Sequence, residues 1–545
     1  MKVKILYKPK TSRINKIDGK LIDLSIHEVY LSETAPYIYR PEVDKKLIKG
    51  IYLNKIHESL QGLFENGRDI KELISYQTFS KLSVADFLID RFWVIYEYNK
   101  LIQSNGQAAY VIIDDKLCYN VLRNQNEYNI FPIKPFYYFF SLLKKKLNFR
   151  IKNIPRIHKS TFLFIGHQYE STIEIGNYSD YFFKNSWQNS AEETQLLLRK
   201  KKTFHKSTSN RISLAEDRLP IIDIIRTFVI SIKNFYFPVK VLQKDIYDFL
   251  LNKNLKSDSS NGSFFENLIW ASIMSKGFSQ IEWDKIKQVV FPFEGRAYEK
   301  QVIHYLHSIN FKGSVIGYAH FPLSEKILNY YTGPFENTFC DKLKIITIGR
   351  NNREIISRSG WCENRFQNEF YVKRINIPKV YVSSNSKAKV GLILLGNGKV
   401  QSKKMLSIII QSGMTKQYKF NVRAHPALEL KNVIDFNKTK NVDVCKEESL
   451  SQAIINADFI FYGDTGAAID ALPFNKPMYY IMDDNIFCSD RIVDNQELHR
   501  RFNSIQELEN FFLSRQIEKD IKDAISIDRN NSLSNYFSSN LVSWI

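Results

Sequence analysis

The sequence predicts an α/β protein built from two Rossmann-like, doubly wound domains that face a central cleft, with additional segments at the N-terminus. Three observations predict it. Short apolar runs recur along the chain and stop at Gly, Pro or His, as strands buried on both faces of a parallel sheet do. Helical patterns fall between these runs, which is the alternation of βαβ units. The alternation breaks near Pro378, dividing the chain into an N-terminal domain (residues 1–377), a linker (378–388) and a C-terminal domain (389–545).

Residues 1–7 read as a first strand, because no long apolar run follows to make them a signal peptide. The pattern up to about residue 75 assigns nothing further. Residues 83–101, with Asp90-Arg91 inside an aromatic helical pattern, and the strand-like residues 110–113 begin or support the first domain. Its strands are read at residues 161–165, 288–291, 315–318 and 344–348, and its helices at 223–232, 264–276 and 297–308. Residues 257–263 are Ser-, Asp- and Gly-rich and read as an exposed loop. In the second domain the strands are 390–395, 418–423, 441–445, 459–462 and 477–482, and the helices 403–411, 450–456 and 465–472.

Composition narrows the class. The chain has 545 residues, 44% of them apolar, and 77 Lys and Arg against 57 Asp and Glu give a formal charge of +20. A globular protein with an anionic partner follows, although a Lys-rich and Asn-rich composition gives the same excess without any partner. The five scattered cysteines lack Cys-x-x-Cys spacing, which argues against disulfides and structural zinc. No run of about 18 uncharged apolar residues occurs to span a bilayer, so a cytoplasmic location is expected. Two stretches could touch an anionic membrane at its inner face. In residues 131–150 an aromatic run meets Lys144-Lys145-Lys146, and residues 221–251 mix apolar side chains with spaced cations.

Three segments carry chemistry. Phe293-Glu294-Gly295 follows a strand, and Glu299 lies five residues beyond Glu294. A carboxylate at a strand's carboxyl end can accept a proton from a hydroxyl, and a helix N-terminus would also stabilise an acid there. Arg423-Ala424-His425-Pro426 ends another strand; the proline stops pairing and aims the imidazole toward a phosphate oxygen. Arg423, two residues earlier, shares that side of the strand. Gly463-Asp464-Thr465-Gly466 joins a strand to a helix, where free N–H groups and a hydroxyl suit phosphate, although tight packing also selects small residues. His320 adds a second imidazole near the cleft, and His167 and Gln168 end an earlier strand on the acceptor side, as does Arg296. No Asp-x-Asp pair is present, so no metal and no cofactor are expected.

The order carboxylate-Gly, His-Pro and a Ser/Thr-bearing small turn resembles the bacterial sialyltransferases and the related transferases of Kdo (3-deoxy-manno-octulosonic acid). The similarity covers roughly residues 82–510, and residues 344–361, KIITIGRNNREIISRSGW, resemble the closing part of the first domain in surface-carbohydrate transferases. The resemblance implies a GT-B fold and a CMP-activated donor. It implies Glu294 as general base, His425 as phosphate ligand and Thr465 as a second nucleotide contact. Phe293 stands where the family has a second acid, and Asp464-Thr465 where it has Ser-Ser or Ser-Thr, which leaves Glu299 as a candidate to share the role of base. The implied reaction is inverting transfer from a nucleotide sugar to a glycan or glycolipid acceptor of capsule, O-antigen or lipooligosaccharide. Arg296 and Arg423 would help hold the donor's anionic groups. Rival readings are a GT-B enzyme using a UDP- or GDP-sugar and a basic nucleic-acid-binding protein; the cations are dispersed and no nucleic-acid module is present, so no nucleic acid is expected.

Overall fold

A computed structural model describes residues 3–7, 20–24, 38–39, 44–76, 79, 88–103, 109–123, 139–140, 162–168, 173–174, 177–178, 194–200, 212–214, 219–260, 263–276, 278, 281–319, 323–324, 328–361, 365–366, 389–396, 398–426, 428–436, 439–447, 449–474, 476–481, 490–492, 499–502 and 505–526. The predicted linker, residues 378–388, lies outside them. The N-terminal additions form a parallel sheet of their own. Strands β1 (Val3–Tyr7), β2 (Lys20–Asp23), β3 (Ile38–Tyr39) and β4 (Ala109–Ile113) pair in the order β1-β4-β2-β3. Helices α1 (Lys45–Glu65), α2 (Ile70–Ser75), α3 (Leu88–Gln103) and α4 (Lys116–Leu122) belong to the same region. Asp44 caps α1, accepting from the Leu47 amide at 2.9 Å, which satisfies one of the orphan donors of the first turn.

The second sheet contains β5 (Phe162–Gln168), β8 (Thr194–Lys200), β9 (Ile212–Leu214), β10 (Gln288–Pro292), β11 (Ser314–Ala319) and β12 (Leu343–Thr347), with a short antiparallel pair β6 (Ile173–Glu174) and β7 (Asn177–Tyr178) apart from it. All its pairings are parallel and the order is β12-β11-β10-β5-β8-β9. Between and after the strands run α5 (Ile221–Tyr236), α6 (Ile246–Ser260), α7 (Ser263–Lys276), α8 (Ala297–Ser308), α9 (Pro334–Asn337) and α10 (Gly349–Ser357). The expected loop at residues 257–263 is a correction. Helix α6 continues to Ser260 and α7 starts at Ser263, and Asp258 and Ser259 are buried. Local turn propensity yields there to packing between helices.

The third sheet is β13 (Val390–Leu394), β14 (Lys419–Arg423), β15 (Val442–Val444), β16 (Phe459–Tyr462), β17 (Met478–Ile481) and β18 (His499–Phe502), all parallel in the order β15-β14-β13-β16-β17-β18. Its helices are α11 (Lys399–Gln411), α12 (Leu450–Ile455), α13 (Ala467–Ala471), α14 (Ile505–Leu513) and α15 (Gln516–Ser526). Phe459 and Phe461 enter one apolar cluster while Ile460 and Tyr462 enter the other. Both faces of β16 are therefore covered, which is why its sequence is continuously apolar. Each fully buried side chain of this size contributes roughly 1.5–3 kcal/mol.

Counted from its own first strand, each large sheet has the order 3-2-1-4-5-6. This is the Rossmann arrangement, and ligands bind it outside the strand ends where the order reverses, between strands 1 and 4. The fold is thus the expected pair of Rossmann-like α/β domains with N-terminal additions. Two reversal points result: β5 beside β10 and β13 beside β16. Among the described residues no helix is long and apolar enough to cross a membrane.

Candidate active site

Two of the predicted segments lie at these reversal points, after β10 and β16, and the third, after β14, is one strand away. In the first sheet, β10 ends at Pro292 and the chain turns through Phe293-Glu294-Gly295-Arg296 into α8. Gly295 has φ +71°, and a Cβ there would sit 2.4 Å from the Asn329 carbonyl oxygen, so the turn requires glycine. Its backbone is held on every side. The Phe293 amide donates to the Tyr318 carbonyl (2.9 Å), Tyr330 Oη donates to the Phe293 carbonyl (2.6 Å), and Asn329 Nδ2 donates to the Glu294 carbonyl. Trp361 Nε1 in turn donates to the Tyr330 carbonyl at 2.6 Å.

Glu294 is half-buried and ion-paired with Arg296, which is exposed. Glu299 is fully buried beneath the turn, and its Oε2 accepts from the amides of Glu294 (2.7 Å) and Arg296 (3.0 Å). Burial, reinforced by the neighbouring Glu294 carboxylate, pushes its pKa up to about 8. Glu299 therefore orders the backbone that presents Glu294.

In the third sheet the Leu395 amide donates to the Arg423 carbonyl (3.0 Å) and the Gly463 amide to the Leu394 carbonyl (3.3 Å), so the segments after β14 and β16 flank the end of β13. The two are separated by two strand spacings, about 10 Å. A Cβ on Gly396 would lie 2.3 Å from the Asp464 carbonyl oxygen, and only glycine lets these turns touch. His425 is half-buried, and burial lowers its pKa against the opposing charge of Asp464; the imidazole is neutral at pH 7. Pro426 is exposed. Arg423 Nη1 donates to the Glu447 carbonyl at 2.8 Å, which directs its guanidinium toward the end of β15. Thr465 is buried and its Oγ1 accepts from the Ala467 amide at 3.3 Å. The helix that follows is short, Ala467–Ala471 with Gly466 at its N-cap and a 3₁₀ turn after it at Leu472–Phe474, in place of the expected residues 465–472. Beside Gly463 and Asp464 lies a small pocket also lined by Gly396, Gln401, Lys404 and Tyr480.

Arg491 is a residue the sequence reading did not find. Its Nη2 and Nε donate to Asp464 Oδ1 at 2.8 and 3.1 Å, and its charge also reaches Tyr330 of the first domain. Tyr330 also lies in the field of Glu294, and His425 in that of Asp464. The position of Arg491 is fixed by its neighbours. Asp490, buried, accepts from the Ile492 amide (2.9 Å), Tyr462 Oη (3.0 Å) and Arg501 Nε (2.7 Å), with His499 Nε2 at 3.1 Å. Burial alone would raise the Asp490 pKa, but these partners outweigh it and hold the carboxyl below its ordinary value. No motif marks Asp490-Arg491-Ile492; only tertiary pairing reveals it.

His167 and Gln168 do not follow β5 but form its last two residues, paired with Arg199 and Lys200 of β8. That corrects the strand end expected at residue 165, because β8 extends the ladder. They remain at the first reversal point. His320 lies outside the described residues. Among the described residues, no group of three or more His, Cys, Asp or Glu is placed to hold a metal.

No protein-family model matches the sequence, and no curated protein matches it. Several solved structures are similar in fold. The lipopolysaccharide outer core galactosyltransferase WaaB is similar over 69% of this chain and 96% of its own, at 12% identity and a TM-score of 0.39. The UDP-GlcNAc 2-epimerase from Neisseria meningitidis bound to UDP-GlcNAc covers the same shares at 10% identity and a TM-score of 0.39. MurG from Acinetobacter baumannii covers 70% of this chain and 96% of its own at 9% identity and a TM-score of 0.38. At such identities the chemistry has to be argued from this chain's own residues.

Proposed function

We propose that this protein is an inverting, metal-independent glycosyltransferase that moves a Kdo-like or sialic-acid-like sugar from a CMP-activated donor to a surface-polysaccharide or lipooligosaccharide acceptor. The observation that supports the reading is a rigidly held carboxylate at the reversal point of one sheet and, at the same strand ends of the other, the His425 segment and the Asp464–Arg491 pair. Glu294 takes the proton of the acceptor hydroxyl as its oxygen attacks the anomeric carbon. The bond from that carbon to the nucleotide phosphate breaks, and the phosphate leaves with both bonding electrons. Arg491, the His425 N–H and the Gly463–Gly466 turn, with Thr465, stabilise that developing charge. Glu299 positions the base by accepting from its backbone amide, and Arg296 is ion-paired with it. Arg423 supports the His425 segment through its bond to Glu447.

Nucleotide protection tests the donor. CMP is expected to raise the melting temperature more than UDP or GDP at equal concentration, whereas the reverse ranking assigns a UDP- or GDP-sugar to the same site. Glu294→Gln is expected to abolish transfer and keep CMP protection; normal turnover in that variant removes Glu294 from the mechanism.

A further inference from the structure

Helix α5 is amphipathic in the reverse of the usual sense. Its inward face carries Asp223, Thr227, Ser231 and Asn234 together with Ile224 and Phe235. Asp223, Thr227 and Asn234 are engaged: Arg226 Nη1 donates to Asp223 Oδ1 at 3.3 Å, Thr227 Oγ1 bonds the Asp223 carbonyl and Ser272 Oγ of α7, each at 2.7 Å, and Asn234 Oδ1 accepts from Tyr76 Oη at 3.2 Å, whereas the buried Ser231 Oγ has no hydrogen-bond partner among the described residues. Its outward face is largely apolar, with the exposed Arg226 and Lys233 set among the apolar side chains. Ile222 is 52% exposed and Val229 60%, with Ile225 and Ile230 beside them, and the surface continues past the helix through Phe237 (74%) and Leu242 (75%). Phe139 stacks on Phe228 of the same helix at 4.0 Å and leaves its neighbour Phe140 exposed next to this surface. A contiguous apolar patch of this kind is costly to leave in water and marks an interaction face.

The charge pattern selects the partner. Between residues 221 and 245 the cations Arg226, Lys233, Lys240 and Lys244 are all exposed; of the acids, Asp223 is buried under the helix and paired with Arg226 at 3.3 Å, and the exposed Asp245 is paired with Lys55 at 2.7 Å. Aliphatic and aromatic side chains on a face where exposed cations outnumber acids complement an anionic lipid surface, where rings and alkyl chains enter the headgroup boundary and the cations meet phosphates.

We propose that the outer face of α5, continued through Phe237 and Leu242 and joined by Phe140, is the face by which this protein lies on an anionic membrane. The inference is independent of the transfer chemistry, since vesicle binding needs neither donor nor Glu294.

Co-sedimentation with vesicles of phosphatidylcholine alone and of phosphatidylcholine with phosphatidylglycerol tests it, using the full chain. The wild type is expected to partition onto the anionic vesicles, weakly onto the neutral ones, and less at high salt. Ile222→Ser/Val229→Ser/Phe237→Ser, at solvent-exposed positions, is expected to lower partitioning by about tenfold or more. Lys233→Glu/Lys240→Glu is expected to do so only on anionic vesicles, by about tenfold or more. Equal partitioning of the wild type and the triple variant overturns the proposal. So does a wild type that stays in the supernatant, including one that instead forms a concentration-dependent dimer abolished by the triple substitution.

Discussion

Gly295→Ala puts the geometry of the proposed base under direct strain. A Cβ at this position begins 2.4 Å from the Asn329 carbonyl oxygen and 2.6 Å from its carbon, where ordinary contact starts at 3.4 Å. The turn or the Asn329 backbone must therefore move by about 1 Å, and the residue must also hold a left-handed conformation at φ +71°, a cost of about 1–2 kcal/mol. Asn329 cannot retreat freely, because its side chain holds the Glu294 carbonyl and the adjacent Tyr330 is bonded to Phe293 and to Trp361. The displacement is then shared by Glu294. A misplacement of about 1 Å in a reacting group costs on the order of 100-fold in rate, so kcat is expected to fall by about that factor. Stabilisation by nucleotide should persist, since the proposed nucleotide contacts lie on the third sheet. Steady-state transfer kinetics paired with nucleotide-induced thermal shifts measure both quantities. A variant that melts normally and keeps kcat within about threefold of wild type would refute the claim that this turn positions the base.

Two further outcomes follow from the same geometry. Arg491→Ala is expected to weaken nucleoside monophosphate binding by about 10–100-fold while leaving nucleoside binding nearly unchanged, the loss of one charge-assisted bond worth about 1.5–3 kcal/mol; His425→Ala should have a smaller effect of the same kind. Calorimetric titration that finds monophosphate and nucleoside equally affected would remove Arg491 from the phosphate site. Glu299→Gln should change the pH dependence of stability. The folded carboxyl keeps its proton up to about pH 8, well above the ordinary glutamate value of 4.5. The folded state therefore binds more protons than the unfolded state in that window, and wild-type stability declines as pH rises through it. A glutamine does not titrate, so melting temperatures between pH 5 and 9 should decline less steeply in the variant; parallel curves would contradict the assignment.

Much of the fold was legible in the sequence because buried parallel strands leave an unmistakable trace. Residues 459–462 and 288–291 are continuous apolar runs closed by Gly and Pro, and the structure places strands there. Strands β8 and β18 escaped, since Thr194–Lys200 and His499–Phe502 mix charged with apolar residues; β18 lies at a sheet edge and β8 is one strand in from its edge. In the N-terminal sheet β1 and β4 were legible, but β2 and β3 escaped for a different reason: β3 has two residues and β2 four, too short for periodicity to register. At the site, the sequence marked residues that follow strands, Glu294, His425 and Asp464, because strand ends are visible. It could not mark Asn329, Tyr330 or Arg491, whose roles depend on partners 35, 37 and 27 residues away.

The substitution of Asp464 for a hydroxyl residue in the turn sets a condition on the proposed phosphate site. A carboxylate about 5 Å from a phosphate charge, at an effective dielectric constant of about 20, opposes it by roughly 3 kcal/mol. The imidazole of His425 supplies no compensating charge, because burial keeps it neutral. Arg491 does, and it is already seated on Asp464 by two hydrogen bonds to one oxygen. The pair is neutral as a unit, so a phosphate meets a carboxylate already paired with a guanidinium instead of a bare one. Asp464→Ser is the substitution that separates these effects. If the carboxylate serves to aim Arg491, the serine variant binds monophosphate more weakly despite having one negative charge fewer. If it binds more tightly, repulsion dominates and Asp464 restrains the site, leaving Arg491 held by Asp490 and its neighbours alone.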